Sequence, residues 1–283
     1  MGICQSTPTT DQTPNAPVQG HSQDLANPPL VGTSDRNEFC FSCHRPQNSR
    51  PIEVEYTNLG DGRYLCPECI PLSLTDSKQV KPVMRRVQHF FEEHLKVPVK
   101  KDIPIFFLDA NEMNKNAGRG TIDTNTVLFY GRILYSGGDI TLKIVKRWVR
   151  RGAAIEAVTK FKDVKVDDVA TILLSFGLPK QVIGETLAHE MVHALIKLQG
   201  WNLTLETSVE EGLCNAVACM WIDYTADDYD DGSFAKKLNK FRKYMIEEHH
   251  KDDAEFAKAR QAIEKYGLEH TLNCVARTRG IPE

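Results

Sequence analysis

The chain has 283 residues, 41% hydrophobic and 26% charged, which suits one or two globular domains with a core large enough to need no covalent staples. Its 35 Lys and Arg against 38 Asp and Glu leave a formal charge of −3, and a near-neutral balance argues against a nucleic-acid partner. No stretch approaches the ~18 consecutive apolar residues of a membrane span, and no basic segment leads into an apolar one at the start. The expected setting is therefore cytoplasmic.

In chain order, residues 1–39 hold Pro8, Pro14, Pro17, Pro28 and Pro29 among Gln, Ser, Thr and Asn, with no aromatic residue before Phe39. Such a segment buries too little apolar surface to offset its ordering entropy, and a disordered tether is expected. It opens Met1-Gly2-Ile3-Cys4-Gln5-Ser6, which fits the N-myristoylation pattern at Gly2, with Cys4 as a palmitoylation site. Two acyl groups would hold the chain to the inner face of the plasma membrane.

Residues 40–75 read as a small Cys-rich module. Cys40-x-x-Cys43 and Cys66-x-x-Cys69 supply four thiolates, enough to close a tetrahedral structural zinc site, and the absence of an export signal makes disulfides the weaker reading. His44 is expected to be a solvated neighbour of that set. The remainder, 76–283, begins with apolar residues at helical spacing from Val83 to Leu95. Strand patterns follow at Ile103–Leu108, within Thr121–Tyr135 and at Val169–Phe176, and helical patterns occupy about 180–199, 208–224, 233–249 and 253–266. Strands before helices predict an α+β fold with a small sheet covered on one side.

The most specific motif is His189-Glu190-Met191-Val192-His193. A spacing of four puts both imidazoles on one helix face, where they can reach one catalytic zinc, with Glu190 beside them as the proton carrier. Ile183, Leu187, Met191, Leu195 and Leu198 form the apolar stripe, and the two His lie off it, towards a cleft. A third ligand is needed. Residues 196 and 199 are Ile and Gln, which excludes the metzincin spacing, whereas Ser208-Val209-Glu210-Glu211-Gly212 offers a glutamate from the next helix. Ser208 and Glu211 could equally form a capping box with no metal. Helical facing favours Glu211 as the ligand, with Glu210 as the alternative. His249 and His250 read as solvated, and Cys214, Cys219 and Cys274 as ordinary helix cysteines.

Taken together, Leu187–Ala194, Gly200-Trp201, Val209–Cys214, Met220-Trp221, Ile172–Leu174, Gly177–Pro179 and Asp61–Arg63 with Cys66 and Cys69 resemble the plant LIM-domain, ubiquitin-activated metallopeptidases that limit organ size. The resemblance spans about residues 40–283. It implies a gluzincin-like zinc metallopeptidase with a LIM-like module ahead of it, and growth regulation through cleavage of regulators in the ubiquitin pathway. It also implies protein substrates, and ubiquitin or ubiquitin ligases as partners. By it, His189 and His193 match the catalytic zinc ligands, Glu190 the catalytic glutamate, and Glu210-Glu211-Gly212 the segment of the third ligand. Two zinc ions per chain are thus expected, one catalytic and one structural, with an edge strand within 103–135 holding extended substrate by strand addition. The rival reading is an inactive, LIM-like adaptor that presents ubiquitin-pathway partners, which an intact His189-Glu190 and His193 set disfavours.

Overall fold

In the computed structural model the described residues are 39–47, 55–99, 103–116, 130–134, 138–151, 154–166, 170–198, 205–230 and 232–283, together with the backbone of 20–22. Gly2 and Cys4 lie outside them, as do the strand pattern at 121–129 and Gly200-Trp201.

Six strands form one sheet in the order β1-β5-β8-β4-β6-β7, comprising Gly20–Ser22 (β1), Ile105–Leu108 (β4), Gly131–Leu134 (β5), Gly138–Arg151 (β6), Ala154–Val166 (β7) and Thr171–Ser175 (β8). Thr57–Asn58 (β2) and Tyr64–Leu65 (β3) make a separate hairpin in the Cys-rich module. Only β4 and β8 pair in parallel in the larger sheet. β8 is apolar at its centre and buried at all five positions, as a strand covered on both faces must be. Successive residues divide between two cores: Phe107, Ile133, Ile172 and Leu174 face the helices, while Leu108, Leu134 and Leu173 join Leu142, Ile144 and Val164 behind them. That second core is closed by Met113 of helix α2 (Ala110–Asn116).

The front layer holds α1 (Val80–His89), α3 (Lys180–Leu198), α4 (Thr207–Tyr224), α5 (Phe234–His249), α6 (Ala254–Tyr266) and α7 (Leu268–Thr278). The four helices expected after residue 180 are α3 to α6. Elements not expected include the β2–β3 hairpin, the β6–β7 ribbon, α2 and α7. Within 1–39, Gly20–Ser22 pairs with β5 as a strand.

α3 is buried from Gln181 to Ile196, so its polar residues lie inside the protein and not on a cleft, contrary to the expectation from its stripe. α4 packs along it in the opposite sense, since His193 meets Glu210 while Gly184 meets Trp221. Gly184 permits that approach: a Cβ there would lie 2.7 Å from the indole Nε1 of Trp221.

The Cys-rich module packs directly on this layer, and its buried cysteines join the core that contains α3 and α4. Backbone bonds tie it on at Leu74 N–H to Leu178 O, 3.0 Å, and Trp148 N–H to Thr75 O, 2.8 Å. A side-chain clamp adds to these. Tyr130 Oη donates to Phe41 O at 2.9 Å, and His44 Nε2 lies 2.5 Å from the same hydroxyl. Arg242 stacks over the Tyr130 ring at 4.7 Å and makes a two-pronged ion pair with Glu185 of α3, at 2.6 and 2.8 Å. His44 is therefore not the solvated residue expected. Burial, with the Arg242 charge nearby, pushes its pKa down to about 4.

Candidate metal centres

The four thiols expected to bind zinc do converge: Cys40, Cys43, Cys66 and Cys69 are all buried, with their Sγ atoms within 4.8 Å of one another. Two sequence-distant C-x-x-C turns are joined by the β2–β3 hairpin, and the Cys66 amide donates to Cys40 Sγ at 3.3 Å. Hydrogen bonds from Cys40, Cys43 and Cys69 hold the Cys66 thiol far below its ordinary range, while the same crowding raises Cys40 and Cys69. Arg45 adds a positive charge, its Nη2 lying 3.9 Å from Cys43 Sγ and 4.0 Å from Cys66 Sγ. Four converging buried thiols beside a positive charge are suited to a divalent cation, which binds them as thiolates.

The second centre joins α3 to α4. His189 Nε2 and His193 Nε2 lie 3.2 Å apart. Glu211 brings Oε2 to 3.3 Å from His189 Nε2 and Oε1 to 3.4 Å from His193 Nε2. Tetrahedral coordination at the usual zinc–nitrogen and zinc–oxygen lengths puts neighbouring ligand atoms about 3.3 Å apart, so these spacings fit a zinc ion. Glu210 does something different. His193 Nδ1 donates to Glu210 Oε1 at 2.7 Å, and Lys197 Nζ donates to Glu210 Oε2 at 3.1 Å. That bond holds the ring so that Nε2 faces His189 and Glu211. The capping-box alternative for Glu211 is not formed, because α4 begins at Thr207 with Glu206 at its N-cap.

The electrostatics match this arrangement. Burial lowers the pKa of His189. Burial also opposes charge on His193, but Cys214, Glu210 and Glu211 together raise its pKa well above the ordinary value. Against burial, hydrogen bonds from His189 and His193 hold the Glu211 carboxyl well below the carboxylate range. Glu190 is fully buried, and neither carboxylate oxygen has a hydrogen-bond partner among the described residues. Burial pushes it up to about 8, with the charges of His193 and Arg132 pulling the other way. A carboxyl group so poised can take up and release a proton near neutral pH.

Four neighbours carried no signal in the sequence. Cys214 lies one turn beyond Glu210, and its Sγ falls within 4.8 Å of the ligand atoms of His189 and His193. Arg132 and Gly131 come from β5: a Cβ on Gly131 would lie 2.3 Å from Thr186 Cγ2 and 3.1 Å from Glu190 Oε1. Asn215 bonds His250 Nε2 at 2.9 Å, and His250 Nδ1 is 3.2 Å from Asp253. His250 is thus part-buried and bonded, unlike the solvated residue expected, while His249 is exposed. Tyr266 donates to Glu283 O at 2.7 Å, within the C-terminal segment.

Comparison with known proteins gives a consistent result. A family model described as DA1-like, Protein DA1, matches residues 94–232, a span that holds the His189-Glu190, His193 and Glu210-Glu211 residues. The chain is 30% identical to Protein DA1 of Arabidopsis thaliana over 276 residues, covering 88% of this chain and 50% of that protein. It is 29% identical to Protein DA1-related 1 of the same plant, covering 88% and 49%. With LIM domain-containing protein HDR3 of Oryza sativa subsp. japonica it shares 26% identity, covering 88% and 55%. The chain therefore spans about half the length of these relatives. No solved structure matches it. Among the described residues, no helix is long and apolar enough to cross a membrane.

Proposed function

The chain belongs to the DA1 family, and from that premise we propose that it is a zinc-dependent endopeptidase acting on protein substrates, regulators in the ubiquitin pathway among them. The observation that carries this reading is the triangle of His189 Nε2, His193 Nε2 and the Glu211 carboxylate, with sides of 3.2–3.4 Å, beside a buried Glu190 whose carboxylate has no hydrogen-bond partner among the described residues.

In this reading His189, His193 and Glu211 hold the catalytic metal, the gluzincin ligand set. Zinc bound there would supply a Lewis acid that polarises a carbonyl and acidifies water. Glu190 takes the proton from the attacking water and returns it to the leaving amine. Its burial favours the neutral form after proton uptake, and the neighbouring charges of His193 and Arg132 favour the ionised form before it. Glu210 orients His193 and does not hold metal. Residues 40–75 form a LIM-like module whose zinc is structural, with Cys40, Cys43, Cys66 and Cys69 as its ligands. The peptidase domain is 76–283, and Gly2 and Cys4 acylation would tether both to the inner face of the plasma membrane.

The test is a pair of variants of the zinc-loaded chain. Glu190→Gln should lose cleavage of an unfolded polypeptide while retaining two zinc ions. His193→Ala should retain about one, the structural ion. Cleavage by Glu190→Gln equal to wild type would overturn the mechanism and leave the adaptor reading.

A further inference from the structure

The sheet edge beside the second metal centre is filled by the chain itself. β1 runs antiparallel to β5, pairing Gly20 with Leu134, His21 with Ile133 and Ser22 with Arg132. In the strand order, β5 would be outermost on this side without β1. An outermost strand presents a row of main-chain groups with which an extended polypeptide can pair.

This edge adjoins Glu190. Gly131, next to the β1-paired residues Arg132 to Leu134, leaves no room for a Cβ against Thr186 and the Glu190 side chain. The strand that β1 covers is therefore the one that lies against the proton carrier. His189, Glu190 and His193 are all fully buried, so the centre is closed to a bulky substrate in this conformation.

We propose that Gly20–Ser22 is an internal stand-in for substrate, holding the β5 edge against extended polypeptide segments until it is displaced. The proposal rests on the peptidase reading above and adds its regulation. The competitor it implies is an extended stretch of protein laid antiparallel to β5 and recognised through its main chain, with little demand on side-chain identity. Three paired residues suit this role better than a structural one. A strand so short makes few hydrogen bonds, each of small net worth, and a longer segment can replace it.

The test uses the full, zinc-loaded chain with Glu190→Gln, so that the probe survives, and measures binding of fluorescein-labelled unfolded casein by anisotropy. His21→Pro in one variant, and Gly20→Pro with Ser22→Pro in another, remove the amides of alternate residues, so one of the two breaks the pairing whichever set faces β5. In that variant casein should bind about tenfold more tightly, and hydrogen exchange at 131–134 without casein should speed up. With Glu190 restored, cleavage of dilute casein should rise by the same factor. Unchanged exchange and binding in both variants would overturn the proposal. So would faster exchange with unchanged casein binding, which would make β1 a mere edge cap. If the wild-type chain cleaves nothing, the peptidase reading falls while the binding measurement still decides whether β1 blocks the edge.

Discussion

Removing Glu210, Glu211 or Glu190 should affect catalytic zinc to three different degrees, although the first two are adjacent in sequence. Structural zinc sites with four ligands bind with about 10–16 kcal/mol. One ligand of such a set therefore accounts for about 3–4 kcal/mol, or about two to three orders of magnitude in Kd. Glu211→Ala should cost that much, because its oxygens complete the triangle with both Nε2 atoms. Glu210→Ala should cost about 10- to 100-fold, the usual effect of losing a carboxylate that orients a ligating histidine. The upper end is expected, since the variant also takes a carboxylate from Lys197. Glu190→Gln should stay within about twofold of wild type, because in the proposed mechanism Glu190 moves protons and holds no metal. The assay is competition with a chromogenic zinc chelator at fixed pH, with the Cys40, Cys43, Cys66 and Cys69 site counted separately by its thiolate absorbance after cobalt substitution. A larger loss for Glu210→Ala than for Glu211→Ala would refute the assignment of the two carboxylates.

Further outcomes follow from the packing. Arg242→Met leaves Glu185 buried and unpaired, and should lower stability by about 3–5 kcal/mol in urea unfolding, whereas adding Glu185→Leu should recover much of it. Asp61 accepts bonds from Arg63 and from the Ala110 amide. Despite burial, Arg63 holds its carboxyl below the ordinary carboxylate range. A lowered folded-state pKa contributes stability that is complete above the unfolded value and is lost as pH falls through the folded one. Asp61→Asn should therefore cost about 3 kcal/mol at pH 7 and flatten the acid limb of the stability curve; an unchanged acid limb would contradict this. Gly131→Ala should drive a methyl group into Thr186 and the Glu190 side chain, costing about 1–3 kcal/mol and cutting activity more than zinc content. If residues 1–6 are acylated, Gly2→Ala should move the chain from the membrane to the soluble fraction, and equal partition of the two would show that the Met-Gly start is incidental.

The convergence of the candidate metal residues was legible where it follows from local spacing. His189 and His193 are one turn apart on α3, and the paired C-x-x-C turns can meet once a hairpin joins them. Facing also favoured Glu211, but only the start of α4 at Thr207 shows why the capping alternative is not used. Arg132, Tyr130 and Arg242 were not legible, because their partners lie far off in sequence. The β6–β7 ribbon was missed for another reason. Leu142, Ile144 and Val164 are buried in the second core, but the β6 pattern of Ile140, Leu142 and Ile144 changes phase at the irregularity between Val145 and Arg147, and exposed Lys160, Lys162 and Lys165 interrupt the pattern of β7. The embedding of α3 erased its signal in the opposite way. With nearly every position buried, its apolar stripe does not indicate which side is solvent.

Peptide hydrolysis itself is tested most directly by digesting unfolded casein with the zinc-loaded chain in ¹⁸O-labelled water and reading the products by mass spectrometry. The account predicts new carboxyl termini carrying one ¹⁸O from the attacking water, produced by wild type and not by Glu190→Gln at equal zinc content. No new termini from a wild-type chain holding two zinc ions, or the same labelled termini from Glu190→Gln, would contradict it.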